Sequence, residues 1–207
     1  MGAPGEPDRV PPLGVVLAGG RGARLGGAKA TVGLAGRPLV SYPLAALAAA
    51  GLERRVVAKP GGELPELDGA RLLVEPPAPR HPLCGIVAAL RAAPGRAVLA
   101  VPCDMPFLAP ALLELLAGAP EPLVVLSHEG RVQPLPGRYA PALLPELEAA
   151  LARGEPLRRT VEALGARVVG ERDLACFGDP ARLLLNVNDD GDLRRAEQLL
   201  VSANGSP

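Results

Sequence analysis

The chain has little aromatic character: two Tyr, two Phe and no Trp among 207 residues. That excludes recognition by stacking nucleic-acid bases on aromatic platforms. It has no excess of either charge, since Lys+Arg and Asp+Glu are both 22. A protein that binds nucleic acid through a broad basic face is therefore not expected. Cysteine is sparse. Cys84, Cys103 and Cys176 are odd in number and far apart, with no Cys-x-x-Cys pair. Neither a disulfide framework nor a zinc cluster is expected, and a reducing cytoplasm is the simplest setting. No apolar run approaches about 18 residues free of Pro, Gly and charge, so no membrane span is expected. The N-terminus lacks an apolar signal core. Residues 1–12 place Pro4, Pro7, Pro11 and Pro12 among charges and read as a disordered lead-in. What the chain does have is 48% hydrophobic residues, enough for one sizeable core.

The distribution of those residues predicts alternating strands and helices. Strands are expected over 13–18, 54–58, 70–74, 97–101, 123–127 and 167–169, with 131–139 pairing near the fifth. Helices are expected over 38–50, 84–92, 110–117, 141–152, 157–164 and 191–201. Such alternation implies an α/β fold with a mostly parallel sheet covered on both faces. One domain over 13–203 accounts for it. In such sheets ligands bind beyond the C-terminal strand ends.

Three segments fall at such places. The first follows the apolar run Leu13-Gly14-Val15-Val16 and reads Leu17-Ala18-Gly19-Gly20-Arg21-Gly22-Ala23-Arg24-Leu25-Gly26-Gly27-Ala28-Lys29. Glycines let backbone N–H groups approach an anion, and Arg24 and Lys29 add positive charge. A P-loop is excluded because Lys29 sits between Ala28 and Ala30. A dinucleotide fingerprint is excluded because Leu25 occupies its last glycine position. The segment instead resembles the signature of nucleotidyltransferases: Leu-Ala-Gly-Gly, a further Gly, an Arg, a Gly and a Lys.

The second segment is Pro102-Cys103-Asp104-Met105-Pro106-Phe107, straight after a continuous apolar strand. Asp104 alone would suit a turn or cap before Pro106. Beside a phosphate loop it suits Mg²⁺, which bridges one or two carboxylates to phosphate oxygens. The third is Leu185-Asn186-Val187-Asn188-Asp189-Asp190. Asn186 and Asn188 alternate along an extended stretch and share a side. They could orient a ligand or complete a metal shell. Alternatively Asn188, Asp189 or Asp190 simply caps the last helix. Cys84 and Cys103 lie near these segments and read as packing residues. His81 heads a Pro-Leu-Cys-Gly turn and is equally compatible with a nucleotide contact and a structural role.

In this order, these segments resemble the molybdenum cofactor guanylyltransferases (MobA-like nucleotidyltransferases). That family has the single three-layer, Rossmann-like domain of nucleotide-diphospho-sugar transferases, the glycosyltransferase-A-like fold. Gly36-Arg37-Pro38-Leu39, His81-Pro82-Leu83-Cys84-Gly85-Ile86 and Gln133-Pro134-Leu135 extend the resemblance across nearly the whole chain. It implies that GTP and Mo-molybdopterin give the guanine dinucleotide and pyrophosphate, with Mg²⁺ as cofactor. By the same resemblance Leu17, Ala18, Gly19 and Gly20 contact the nucleotide, and Lys29 binds its phosphates. Asp104 holds metal and nucleotide, Lys29 and Arg24 steady the leaving pyrophosphate, and Asn186 and Asn188 face the pterin. Molybdoenzyme apoproteins and other cofactor-biosynthesis proteins are the implied partners.

The sequence departs from the family pattern at two strand ends. An acidic residue that helps read guanine is expected after strand 70–74, where this chain has Glu75-Pro76-Pro77-Ala78-Pro79: either Glu75 stands in for it or the proline run reshapes the pocket. An Asn expected near the end of strand 54–58 is replaced by Ala58-Lys59. Nucleotidyl transfer is thus more strongly implied than guanine. A related transferase using CTP or another small phosphorylated acceptor, and a non-catalytic cofactor carrier, are the rival readings.

Overall fold

The computed structural model describes residues 10–19, 21–22 and 27–204. In chain order these form β1 (Leu13–Leu17), β2 (Arg21–Gly22), β3 (Gly27–Ala28), β4 (Gly33–Leu34), β5 (Arg37–Pro38), α1 (Ser41–Ala49), β6 (Arg54–Ala58), β7 (Arg71–Val74), α2 (Pro82–Ala92), β8 (Val98–Pro102) and α3 (Pro110–Gly118). There follow β9 (Leu123–His128), β10 (Arg131–Tyr139), α4 (Leu144–Ala152), α5 (Leu157–Ala163), β11 (Arg167–Val169), α6 (Glu171–Leu174), α7 (Pro180–Leu183) and α8 (Asp190–Asn204). Of the expected lead-in, residues 1–9 lie outside the described residues. The carbonyls of Pro11 and Pro12 accept from the Arg96 guanidinium.

Seven strands make one sheet in the order β11-β9-β10-β8-β1-β6-β7. The pairs β1–β6, β1–β8, β6–β7 and β9–β11 are parallel, and β10 runs against both its neighbours. The expected α/β architecture and mostly parallel sheet are therefore present. Strand alternation splits the core into two layers. Val16, Val56, Leu99 and Val101 pack with α1 and α3 residues such as Leu44, Leu47, Leu112 and Leu113. Leu13, Val15, Val57, Val98 and Ala100 pack on the other face with Leu83, Ile86 and Leu90 of α2, Leu147 of α4 and Val161 of α5. Each fully buried Leu, Val or Ile contributes about 1.5–3 kcal/mol.

A smaller apolar cluster bears most directly on the site. Leu34 and Leu39 pack against Leu185, Val187 and Ala196. It fastens the segment before α8 to the β4–β5 hairpin, far away in sequence. That hairpin also corrects the helix expected over 38–50. Ala35 and Gly36 both adopt positive φ (47° and 79°), the conformation of a tight two-residue hairpin turn. Arg37 and Pro38 are thereby drawn into a strand paired with Gly33 and Leu34, and α1 starts at Ser41. Other boundaries move by one to three residues. Residues 141–143 are a 3₁₀ turn leading into α4, and α2 starts at Pro82 because His81 caps it. The short β2–β3 ribbon and the small helices α6 and α7 carry too little periodicity to be read from the sequence.

Candidate active site

The segments singled out in the sequence converge at the C-terminal ends of β1 and β8. Ala18 leaves β1 by donating its N–H to the Val57 carbonyl. Cys103 leaves β8 by donating to the Leu17 carbonyl. Lys29 opens a single 3₁₀ turn that is pinned by the buried Ala30. Its ammonium donates to Asp104 Oδ2 at 2.6 Å and to Asn188 Oδ1 at 2.7 Å. One side chain thus joins residues 75 and 159 positions away. The backbone repeats the junction, because the Val187 N–H donates to the Asp104 carbonyl at 2.9 Å.

The Lys29 and Asp104 side chains are each 14% exposed, so the pair sits at a partly desolvated mouth. Asp104 Oδ1 is buried and has no hydrogen-bond partner among the described residues. An unsatisfied buried carboxylate oxygen is costly and suits a cation or ligand donor. Among the described residues no group of three His, Cys, Asp or Glu could hold a metal. The available hard donors are the Asp104 carboxylate and the Asn188 amide oxygen. They fit Mg²⁺, which takes few protein ligands and fills its shell with phosphate and water.

The third segment divides its residues between site and helix. Asp189 Oδ1 accepts from the N–H groups of Gly191 and Asp192 at 2.8 and 3.0 Å, so Asp189 caps α8. The Asp192 carboxylate reaches back to the Asn188 N–H at 2.9 Å. Asn188 can therefore turn its amide toward Lys29. Asn186 Nδ2 instead donates to the Leu184 carbonyl at 3.2 Å. Asp189→Ala should cost about 1 kcal/mol of stability, and Asn188→Ala only a few tenths. Urea unfolding of the two variants checks this; a larger loss for Asn188→Ala would return the capping role to that residue.

A cavity of about 440 Å³ opens beside the junction, lined among others by Leu17, Gly19, Lys29, Glu75, Asp104 and Leu135. Leu135 reaches it from β10, whose pairing with β9 shifts register between Gln133 and Arg138. A larger cavity of about 930 Å³ lies between β7, α2 and α4, but it contains none of Lys29, Asp104 or Asn188. The smaller one is the cavity that Lys29 and Asp104 share. At its inner wall the Glu75 side chain is only 5% exposed. A Cβ on Gly19 would lie 2.5 Å from Glu75 Oε1, and one on Gly85 would lie 2.9 Å from the Leu17 side chain. A side chain at Gly19 would press on the Glu75 carboxylate, and one at Gly85 on the Leu17 side chain, so either would force a neighbour to shift.

The two nearby thiols are inert. Burial, followed by the Asp104 charge, pushes Cys103 up to about 12. Burial, followed by the charge of Glu75, raises Cys84. Neither is a thiolate nucleophile near neutrality, which agrees with their reading as packing residues. His81 plays a structural role, in that its Nδ1 accepts from the Leu83 N–H at 3.2 Å. Burial lowers its pKa. The ring is thus neutral at pH 7 with its proton on Nε2, and it lies on the cavity wall.

Of the residues expected to contact ligand, Leu17, Gly19, Lys29 and Asp104 line this cavity. Ala18 lies between the first two, and Asn188 reaches Lys29. Asn186 makes no hydrogen bond to Lys29 or Asp104; its amide is turned to the Leu184 carbonyl. Gly20 and Arg24 lie outside the described residues. The ion pair between Lys59 and Glu75, 3.4 Å apart, is not evident in the sequence. Register could have revealed it. Ala58 and Val74 are partners in the parallel β6–β7 pair, so the next residues, Lys59 and Glu75, leave the sheet side by side.

Comparison with known proteins places the arrangement among nucleotidyltransferases. The MobA-like NTP transferase domain family matches residues 14–168. A molybdenum cofactor guanylyltransferase of Cereibacter sphaeroides is 36% identical over 201 residues, covering 91% of this chain and 96% of that protein. Among solved structures, molybdopterin-guanine dinucleotide biosynthesis protein A from Archaeoglobus fulgidus superposes with a TM-score of 0.73 at 26% identity. It covers 91% of this chain and 98% of its own. The 2-C-methyl-D-erythritol 4-phosphate cytidylyltransferase of Thermus thermophilus gives a TM-score of 0.66 at 25% identity, with coverage of 91% and 98%.

Proposed function

Because the chain belongs to the MobA-like NTP transferase family, we propose that it joins GMP from GTP to Mo-molybdopterin. A terminal phosphate oxygen of the acceptor bonds to the α-phosphorus of GTP. The bond from that phosphorus to the bridging oxygen breaks, and pyrophosphate leaves with the electron pair. The observation that carries this reading is the Lys29–Asp104–Asn188 junction, which gathers three distant segments beside the cavity that Lys29 and Asp104 line.

The chemistry needs alignment and charge neutralisation rather than a protein nucleophile. Lys29 steadies the negative charge that develops on the leaving pyrophosphate, and Arg24 adds to it from the glycine-rich segment. Leu17, Ala18, Gly19 and Gly20 let the backbone approach the nucleotide. Asp104, with Asn188, would hold Mg²⁺. When bound, the ion would supply positive charge that neutralises charge on the phosphates. Asn186 and Asn188 serve the acceptor side. Glu75 supplies an acceptor for the base, since guanine presents two adjacent N–H donors on one edge. The unpartnered Glu75 Oε2 beside the cavity supports that assignment. Delivery of product to molybdoenzyme apoproteins, in the reducing cytoplasm that suits three free thiols, completes the reading.

The test is Mg²⁺-dependent release of pyrophosphate with Mo-molybdopterin and GTP, CTP or ATP in parallel. GTP is expected to support release at least about 10-fold faster than CTP, the discrimination of one good base-edge contact pair. Equal or faster release with CTP would instead make the chain a cytidylyltransferase.

A further inference from the structure

Lys59 is buried, with 8% of its side chain exposed. A lysine in such a place normally needs a full set of partners. It has them. Its ammonium donates to the carbonyls of Pro76 and Pro79, both at 2.7 Å, and approaches Cys84 Sγ at 3.6 Å. An ammonium has three donors, so these three contacts use them all. Glu75 Oε1 lies 3.4 Å away as the counter-charge. Glu75 Oε2 is buried and has no partner among the described residues. The same carboxylate lines the cavity whose mouth holds Lys29 and Asp104.

This arrangement has a chemical consequence. A lone carboxylate at 5% exposure is strongly disfavoured as an anion. The Lys59 ammonium is its counter-charge, and an ionised carboxylate offers only acceptors. The two carbonyl contacts draw the proline-rich segment after β7 around the same lysine, and the close fit of Gly19 against Oε1 limits where the carboxylate can move. Oε2 remains as an unused acceptor. We propose that Lys59 is the positioning residue for base selection: it holds Glu75 as a fixed, charged acceptor for paired N–H donors such as N1–H and the 2-amino group of guanine. This rests on the reading of Glu75 as the base acceptor. The neutral strand-end residue that the family resemblance leads one to expect is replaced here by a charged side chain that organises the acceptor from behind.

The test compares equilibrium binding of GTP, inosine triphosphate and CTP to the full chain. Inosine triphosphate retains N1–H but lacks the 2-amino donor. Wild-type protein should bind GTP about 10-fold or more tighter than inosine triphosphate, the range for a hydrogen bond to a charged group. Lys59→Met should compress that ratio to about 3-fold or less, mainly by weakening GTP. Lys59→Gln, whose amide can still meet a loop carbonyl, should do the same and serves if the Met variant does not fold. Lys59→Arg, which keeps the charge, should recover part of the ratio. Two results would overturn the proposal. One is an unchanged ratio in the uncharged variants. The other is equal weakening of both purine nucleotides, which would make Lys59 only a brace for the loop. If wild-type protein itself shows no preference among the three nucleotides, the base reading of Glu75 fails and the positioning role falls with it.

Discussion

Asp104→Ala should lower the rate of nucleotidyl transfer by about 10²-fold or more while leaving the fold in place. The side chain contributes nothing to the apolar layers. One of its oxygens meets Lys29, the other has no partner among the described residues, and the backbone link to Val187 does not depend on it. Removing an unsatisfied buried oxygen spares a desolvation cost but leaves Lys29 with Asn188 alone, so the melting temperature should change little. Asp104→Asn keeps the volume and removes the charge, and it should lose nearly as much activity. The check is initial-rate pyrophosphate release beside a thermal melt. Wild-type turnover in either variant would remove Asp104 from the chemistry. Lost turnover with a collapsed melt would make it a structural residue.

Lys29→Ala should weaken GTP binding by about 10- to 100-fold, the range for losing a charge-assisted contact. It also leaves Asp104, only 14% exposed, with no ion-pair partner among the described residues. Arginine should rescue poorly. Lys29 fits its point charge between two oxygens at 2.6 and 2.7 Å, and a planar guanidinium cannot take that place without moving one of them. Calorimetric titration with GTP measures the loss. A titration curve identical to wild type would show that the triphosphate lies elsewhere.

The sequence discloses what depends on local order. Continuous apolar runs mark β1 and β8. An acidic residue after β8 and a glycine-rich segment after β1 mark the site, because sheets of this kind open at strand ends. Asn186 and Asn188 are visible as an alternating pair, but their purpose is not. Only the packing of Leu185 and Val187 against Leu34 and Leu39 decides that Asn188 meets Lys29 while Asp189 caps α8. Pro38 misleads for a similar reason. A proline suits the first turn of a helix, yet positive φ at Ala35 and Gly36 claims it for a hairpin first. The Lys59–Glu75 pair needs knowledge that β6 and β7 are neighbours in register, which no local pattern contains.

The central claim is that the Lys29–Asp104–Asn188 junction performs transfer rather than mere carriage of a nucleotide or cofactor. It is tested most directly by mixing the protein with Mg²⁺ and GTP, with and without Mo-molybdopterin, and measuring pyrophosphate together with the mass of the pterin product. Transfer predicts that pyrophosphate appears only with the acceptor, in equal amount to a molybdopterin that has gained one GMP unit. Tight binding of both ligands with no pyrophosphate and no mass gain would contradict it and identify a carrier.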